Sequence, residues 1–306
     1  MALTPFSKQK ELSSHSHGDS QSDHSAQKVR TPVLAVAVVL TLGFAFVEFV
    51  GGLISNSLAL IGDAGHMLTD SASLLFALIA NWLSRSGADA RHSFGHARIE
   101  VLAAFINALA MFAVIGWVFY EAVDRFQNPP PVAGGSVVLI AAIGLVVNVG
   151  VAWSLSRDRD NVNTRAALIH VLGDLLGSVA AIIAGVVIYY GGSTIIDPIL
   201  SILIGCLVLK AAWGVLRDTI HILLDGVPQG MKYEEVGEVI SKTPGVLSVH
   251  DLHVWSMSPD QYSVTAHVTI DTYHHWPLIL NSIRDNVKTR FGIDHVTLQP
   301  EWVHED

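Results

Sequence analysis

Between Thr31 and Ile220 only 21 of 190 residues are Asp, Glu, Lys or Arg, and most of these fall in short clusters. The stretches between the clusters are apolar runs of about 20 residues, which at a helical rise of about 1.5 Å per residue match a hydrocarbon core of about 30 Å. An ordinary soluble domain is thereby excluded. Over the whole chain the charged fraction is 15%, against about 25% in a typical soluble protein. The runs extend over Pro32–Ile54, Ser57–Leu83, Ile99–Val123, Ser136–Leu155, Ala166–Tyr190 and Ile195–Val215. They predict an α-helical membrane protein with a six-helix transmembrane bundle over residues 32–220.

Residues 1–31 are rich in Ser, Gln and His, include His15, His17 and His24, and hold no apolar run. This predicts a disordered arm rather than a signal peptide. Beyond a short linker, 221–227, the composition changes. Residues 228–306 carry five basic residues against eleven carboxylates, a net charge of −6 out of −9 for the chain. Helical periodicity over Met231–Lys242, alternation over Val246–Met257 and Tyr262–Ile270, a helix over Trp276–Phe291 and a strand over His295–Trp302 predict a C-terminal αββαβ domain. Lys and Arg place this domain and the N-terminus in the cytoplasm, because the three loops on the other side hold only Arg125. The acidic balance argues against a nucleic-acid partner. A single cysteine, Cys206, excludes an intramolecular disulfide and a Cys-rich zinc ribbon.

Within this apolar chain the polar residues at depth carry the chemistry. An ionisable group at mid-membrane costs about 2.5–3.5 kcal/mol on insertion scales, yet the second run carries His66 and Asp70 and the fifth carries His170 and Asp174. Both pairs are spaced i, i+4, which sets imidazole and carboxylate on one helix face about 5–6 Å apart. A local His–Asp hydrogen bond would account for one such pair. Two identical pairs in two runs supply two nitrogen and two oxygen donors, the ligand number of a tetrahedral Zn²⁺ or a similar borderline cation. Asp63, one turn before His66, is open to three readings: an entry ligand, a partner orienting the histidine, or a structural residue near the helix start. Glu48 and Asn148 read as interhelical hydrogen-bonding groups, with a share in the ion pathway as the alternative.

The run Ser57-Leu58-Ala59-Leu60-Ile61-Gly62-Asp63-Ala64-Gly65-His66-Met67-Leu68-Thr69-Asp70 resembles the second span of the cation diffusion facilitators, in particular their zinc-transporter branch, and Ile169-His170-Val171-Leu172-Gly173-Asp174 resembles its partner in the fifth. His92-Ser93-Phe94-Gly95-His96 and His250-Asp251-Leu252-His253-Val254-Trp255 are similar to further segments of that family. The resemblance covers nearly the whole chain after residue 31. It implies a homodimeric antiporter, in a bacterial inner membrane, that exports a divalent metal against protons. It further implies a cytoplasmic loop site at Asp89, His92 and His96, and a tail site at His250, His267 and Glu301. Gln299 stands where relatives often have a second histidine. His253, His274, His275, His295 and His304 are open to a ligand role or a solvated one. The resemblance also implies an Arg98–Asp225 pair joining the two parts. Zn²⁺ is then expected as the substrate, and at the loop and tail sites as a structural or regulatory ion.

The chemistry supports exchange: a metal-bound imidazole must be unprotonated, so protonation expels metal, and histidine switches near neutral pH. An enzyme is not expected. The only His-Glu dipeptide, His304-Glu305, ends the chain, and neither a metalloprotease helix nor a nucleotide-binding loop occurs. The alternatives are cadmium, cobalt or nickel as principal substrate, or a metal-gated channel or sensor.

Overall fold

The structure, a computed structural model, describes residues 31–84, 91–155 and 162–302. Six long helices come first: α1 (Thr31–Ser55), α2 (Leu58–Ser84), α3 (Arg98–Gln127), α4 (Gly134–Leu155), α5 (Val162–Tyr189) and α6 (Ile196–Leu223). Among the described residues, α3, α6 and the Gly134–Trp153 part of α4 are long and apolar enough to cross a membrane. Thr41–Ser55 in α1 and Gly173–Tyr189 in α5 are shorter apolar stretches.

The six helices invert the usual relation of core and surface. Large apolar side chains such as Leu139, Val146, Trp153 and Trp213 are exposed, whereas Glu48, Asp63, Asn148, Asp174 and Asp197 are buried. This is the distribution expected where lipid replaces water outside and polar groups must find partners within. Small residues let the helices approach. A methyl group on Gly134 would lie 2.7 Å from the Gly185 carbonyl oxygen, so α4 and α5 touch backbone to backbone there. The α1–α2 turn needs only Asn56 and Ser57. Asn56 takes the left-handed conformation at φ 57°, which its short polar side chain tolerates.

Helix α6 runs to Leu223, eight residues past the end of its apolar run, and takes in the first three residues of the expected linker. The tail then folds as α7 (Tyr233–Ser241), β1 (Val246–Ser258), β2 (Gln261–Ile270), a 3-10 turn at Tyr273–His275, α8 (Trp276–Phe291) and β3 (His295–Trp302). Strand β2 is central, antiparallel to β1 and parallel to β3. Alternation along β2 buries Val264, Ala266, Val268 and Ile270 on one face. These pack with Ile279, Ile283 and Val287, the i, i+4, i+8 stripe of α8, and with Val236 and Ile240 of α7. Pro277 opens α8, and Gly292 at φ 68° closes it in the left-handed conformation. The opposite face of the sheet is left uncovered by these helices.

Ile283→Ala is expected to destabilise the tail by about 2–5 kcal/mol, the usual cost of such a cavity. Hydrogen exchange of the β2 amides in the full-length chain, which should quicken while α3 and α4 stay protected, checks this.

Candidate metal centre

Helix α2 brings His66 and Asp70 to one face, and α5 brings Asp174 opposite them. His66 Nδ1 lies 3.3 Å from Asp70 Oδ2, and His66 Nε2 lies 3.5 Å from Asp174 Oδ1. Asp174 is buried, and His66 and Asp70 are largely shielded. Both distances exceed the roughly 2.9–3.0 Å usual for an N–H···O bond. They use the two opposite nitrogens of one ring, so a single cation would take one nitrogen as its ligand while the other, facing a carboxylate, orients the imidazole. His170 lies in α5 one turn before Asp174; its side chain lies outside the described residues.

Asp63 sits beside this group. Glu48 of α1 is its neighbour; both residues are buried, and Glu48 Oε1 and Oε2 and Asp63 Oδ2 have no hydrogen-bond partner among the described residues. Asp63 Oδ1 lies against Gly177 of α5, one turn after Asp174, where a methyl group would come within 2.7 Å of it. Glu48 similarly faces Gly144 of α4. One helix along, the Asn148 side-chain amide donates to Ser178 Oγ at 3.4 Å, joining α4 to α5. A cavity of about 30 Å³ between α2, α3 and α6 is lined by Asp63 and His66 and also by Ala59 and Ser201.

In the loop before α3, the His92 and His96 rings lie 4.7 Å apart between centroids. Gly95 at φ 73° makes the turn that brings them together, its N–H donating to the His92 carbonyl at 2.9 Å. His96 Nδ1 is buried without a hydrogen-bond partner among the described residues. Phe94, between them, is exposed. Asp89 lies outside the described residues.

The tail places its expected ligands on the uncovered sheet face. His250 pairs with His267 across β1 and β2, and Glu301 reaches both from β3. Glu301 Oε2 lies 3.1 Å from His250 Nε2, and Oε1 lies 2.8 Å from His267 Nδ1. Gln299 is directly opposite His267 in the parallel register, one step from Glu301 on the same face. Asp251, which sequence reasoning passed over, comes within 3.8 Å of His267 because a bulge turns it there at φ 49°. Its only signal was adjacency to His250. His253 instead pairs with Asp251 at 3.1 Å, and His295 lies opposite Ser263 at the other end of the sheet. Arg98, opening α3, makes an ion pair with Asp225 just past α6. Asp197, which carried no expectation, is completely buried at the start of α6.

An apolar helical bundle in which His66 and Asp70 of α2 face Asp174 of α5, joined to a small sheet domain, has the features of a membrane protein that handles a metal cation. Residues 34–224 match the cation efflux transmembrane domain, and residues 228–302 match the cation efflux protein cytoplasmic domain. The chain belongs to the cation efflux family, the cation diffusion facilitators. Similar proteins include the zinc transporter ZitB of Escherichia coli (strain K12), 43% identical over 94% of this chain and 92% of that protein. The cadmium, cobalt and zinc/H(+)-K(+) antiporter of Bacillus subtilis (strain 168) is 40% identical over 88% of both chains. The cation efflux system protein CzcD of Alcaligenes sp. (strain CT14) is 37% identical over 94% of this chain and 89% of its own length.

Two glycines of α5 separate packing at the site from general helix effects. Gly177→Ala is expected to lower stability by about 1–3 kcal/mol, the usual cost of overpacking, because the added carbon meets Asp63. Gly173→Ala, with open space around it, is expected to be neutral or slightly stabilising. Melting temperatures of the two purified variants give the comparison.

Proposed function

We propose that this protein exports divalent metal cations, zinc foremost, in exchange for protons, by alternating access around a site made of His66, Asp70, His170 and Asp174. The observation that carries the reading is the meeting of His66 with carboxylates from two helices at 3.3 and 3.5 Å, inside an apolar bundle. The similar proteins named as zinc transporters and as a cadmium, cobalt and zinc antiporter support the same substrate class.

The mechanism follows from the donor set. A cation entering from the cytoplasm exchanges its water for two imidazole nitrogens and two carboxylate oxygens, which hold it in a site otherwise too apolar for charge. Because the ligands come from α2 and α5, a small relative movement of those helices separates them and releases the cation on the other side. Protonation of His66 and His170 then competes with rebinding and carries the counter-ion back. Asp63 acts as the partner that shapes the site from one turn away, held by Gly177 and Glu48. The six helices α1–α6 all span the membrane, with both termini in the cytoplasm. The protein works as a homodimer, consistent with the match to a cytoplasmic domain of the dimerising type. His92 and His96 form a weaker loop site with Asp89. His250, His267 and Glu301 hold a structural or regulatory ion in each tail.

In proteoliposomes, Asp70→Ala and Asp174→Ala are expected to abolish zinc uptake and the accompanying pH change, with helix content by circular dichroism unchanged. Undiminished uptake in either variant would overturn the assignment. The tail site is tested separately by zinc counts on purified full-length protein. The triple change His250→Ala, His267→Ala and Glu301→Ala should remove about one zinc per subunit, as expected for one three-ligand site, and leave the transport-site zinc in place.

A further inference from the structure

The start of α2, the helix that carries His66 and Asp70, is not capped from within its own segment alone. Ser57 accepts the Leu60 N–H at 3.4 Å in the ordinary N-cap manner. The remaining donors turn to a carboxylate from another helix. Asp197 Oδ1 accepts the Ser57 hydroxyl at 2.7 Å and the Ala59 N–H at 3.3 Å, and Oδ2 accepts the Leu58 N–H at 2.6 Å. Arg125 of α3 completes the cluster. Its Nη1 lies 3.7 Å from Asp197 Oδ2 and donates to the Asn56 carbonyl at 2.5 Å, while Nε donates to Glu121 at 3.1 Å. Asp197 is completely shielded and Arg125 nearly so. Three helices are thereby tied at one end of the bundle through charge-assisted hydrogen bonds, the strong kind.

The cavity gives this tie a second meaning. Its lining includes His66 and Asp63 together with Ala59 and Ser201. Ala59 donates to Asp197, and Ser201 Oγ donates to the Asp197 carbonyl at 2.7 Å. Asp197 does not line this cavity itself, but its hydrogen bonds hold two residues that do, Ala59 and Ser201. We propose that Asp197 is a positioning residue for transport. Its carboxylate latches the start of α2 to α6 and closes the bundle at that end, and the latch opens when the cation leaves. The proposal rests on the transport reading above. It assigns Asp197 no contact with the cation at the central site. Its effect there runs through α2.

The consequence is a population shift. Without the latch the form open at this end becomes more populated, and the form that accepts zinc from the cytoplasm less so. The apparent KM for zinc then rises by the inverse of the remaining fraction while the maximal rate changes less. Loss of folded protein alone would lower the rate and leave KM where it was.

The test uses full-length protein in which Cys206, exposed on α6, is replaced by Ser and Ala59 by Cys as a reporter at the latched end. With Asp197→Ala, labelling of the reporter by a charged maleimide in detergent is expected to quicken by at least about tenfold, the scale of losing a hydrogen bond to a charged group. In proteoliposomes, without the reporter, the same change should raise KM by a similar factor. Asp197→Asn, which keeps one accepting oxygen, should fall between. Ser57→Ala should shift both readouts in the same direction by less, and these two variants carry the test where Asp197→Ala does not fold. Asp70→Ala must leave labelling slow while flux is lost, which separates failure of the latch from failure of the transport reading. Unchanged labelling, or an unchanged KM with a rate lowered only in step with folded protein, overturns the proposal.

Discussion

Everything in the membrane part depends on one constraint: a polar group at lipid depth must face a polar group on a neighbouring helix, because neither water nor hydrocarbon will serve it. Four such meetings lay out the bundle. Glu48 faces Asp63 across α1 and α2, Asn148 meets Ser178 across α4 and α5, His66 meets Asp174 across α2 and α5, and Asp197 meets Ser57 across α6 and α2. Apolar packing between the helices has no comparable preference, since lipid tails are as apolar as Leu or Val. The expensive residues therefore determine which helices are neighbours.

The tail follows the opposite rule. Water surrounds it, so its sheet hides an apolar face under α7 and α8 and keeps polar residues on the other. His250, His267 and Glu301 come one from each strand, so an ion there would tie β1 to β3 across β2 with no change of backbone. The Arg98–Asp225 pair stands where the two regimes meet. Both side chains are well exposed, so its value lies in placement more than in stability, exposed pairs being worth about 0–1 kcal/mol.

What the sequence disclosed was what local periodicity encodes. The spacing of His66 and Asp70 places them on one face whatever surrounds the helix, and the alternation through Tyr262–Ile270 describes β2 to within a residue. The trimmed start of α7 at Tyr233 and the extension of α6 to Leu223 show where periodicity fades into solvent-exposed turns. Asp197, Gly177 and Arg125 were illegible for another reason. Each acts on a helix far away in the chain, and nothing in its own neighbourhood distinguishes a buried cap from an interfacial charge. Asp251 belongs with them, since only the bulge at φ 49° turns it toward His267.

The contact of Gly134 with Gly185 bears on how movement reaches the site. With no side chain between the two backbones, α4 and α5 have a bearing surface there rather than a compressible layer. Gly185 is eleven residues from Asp174, about 16 Å along the helix axis. A rocking of α5 by about 5° on that pivot would carry the Asp174 carboxylate by about 1.4 Å over such an arm. That stroke is large beside the tolerance of a metal–ligand bond, so in the proposed transport cycle a small tilt of α5 would suffice to free a cation.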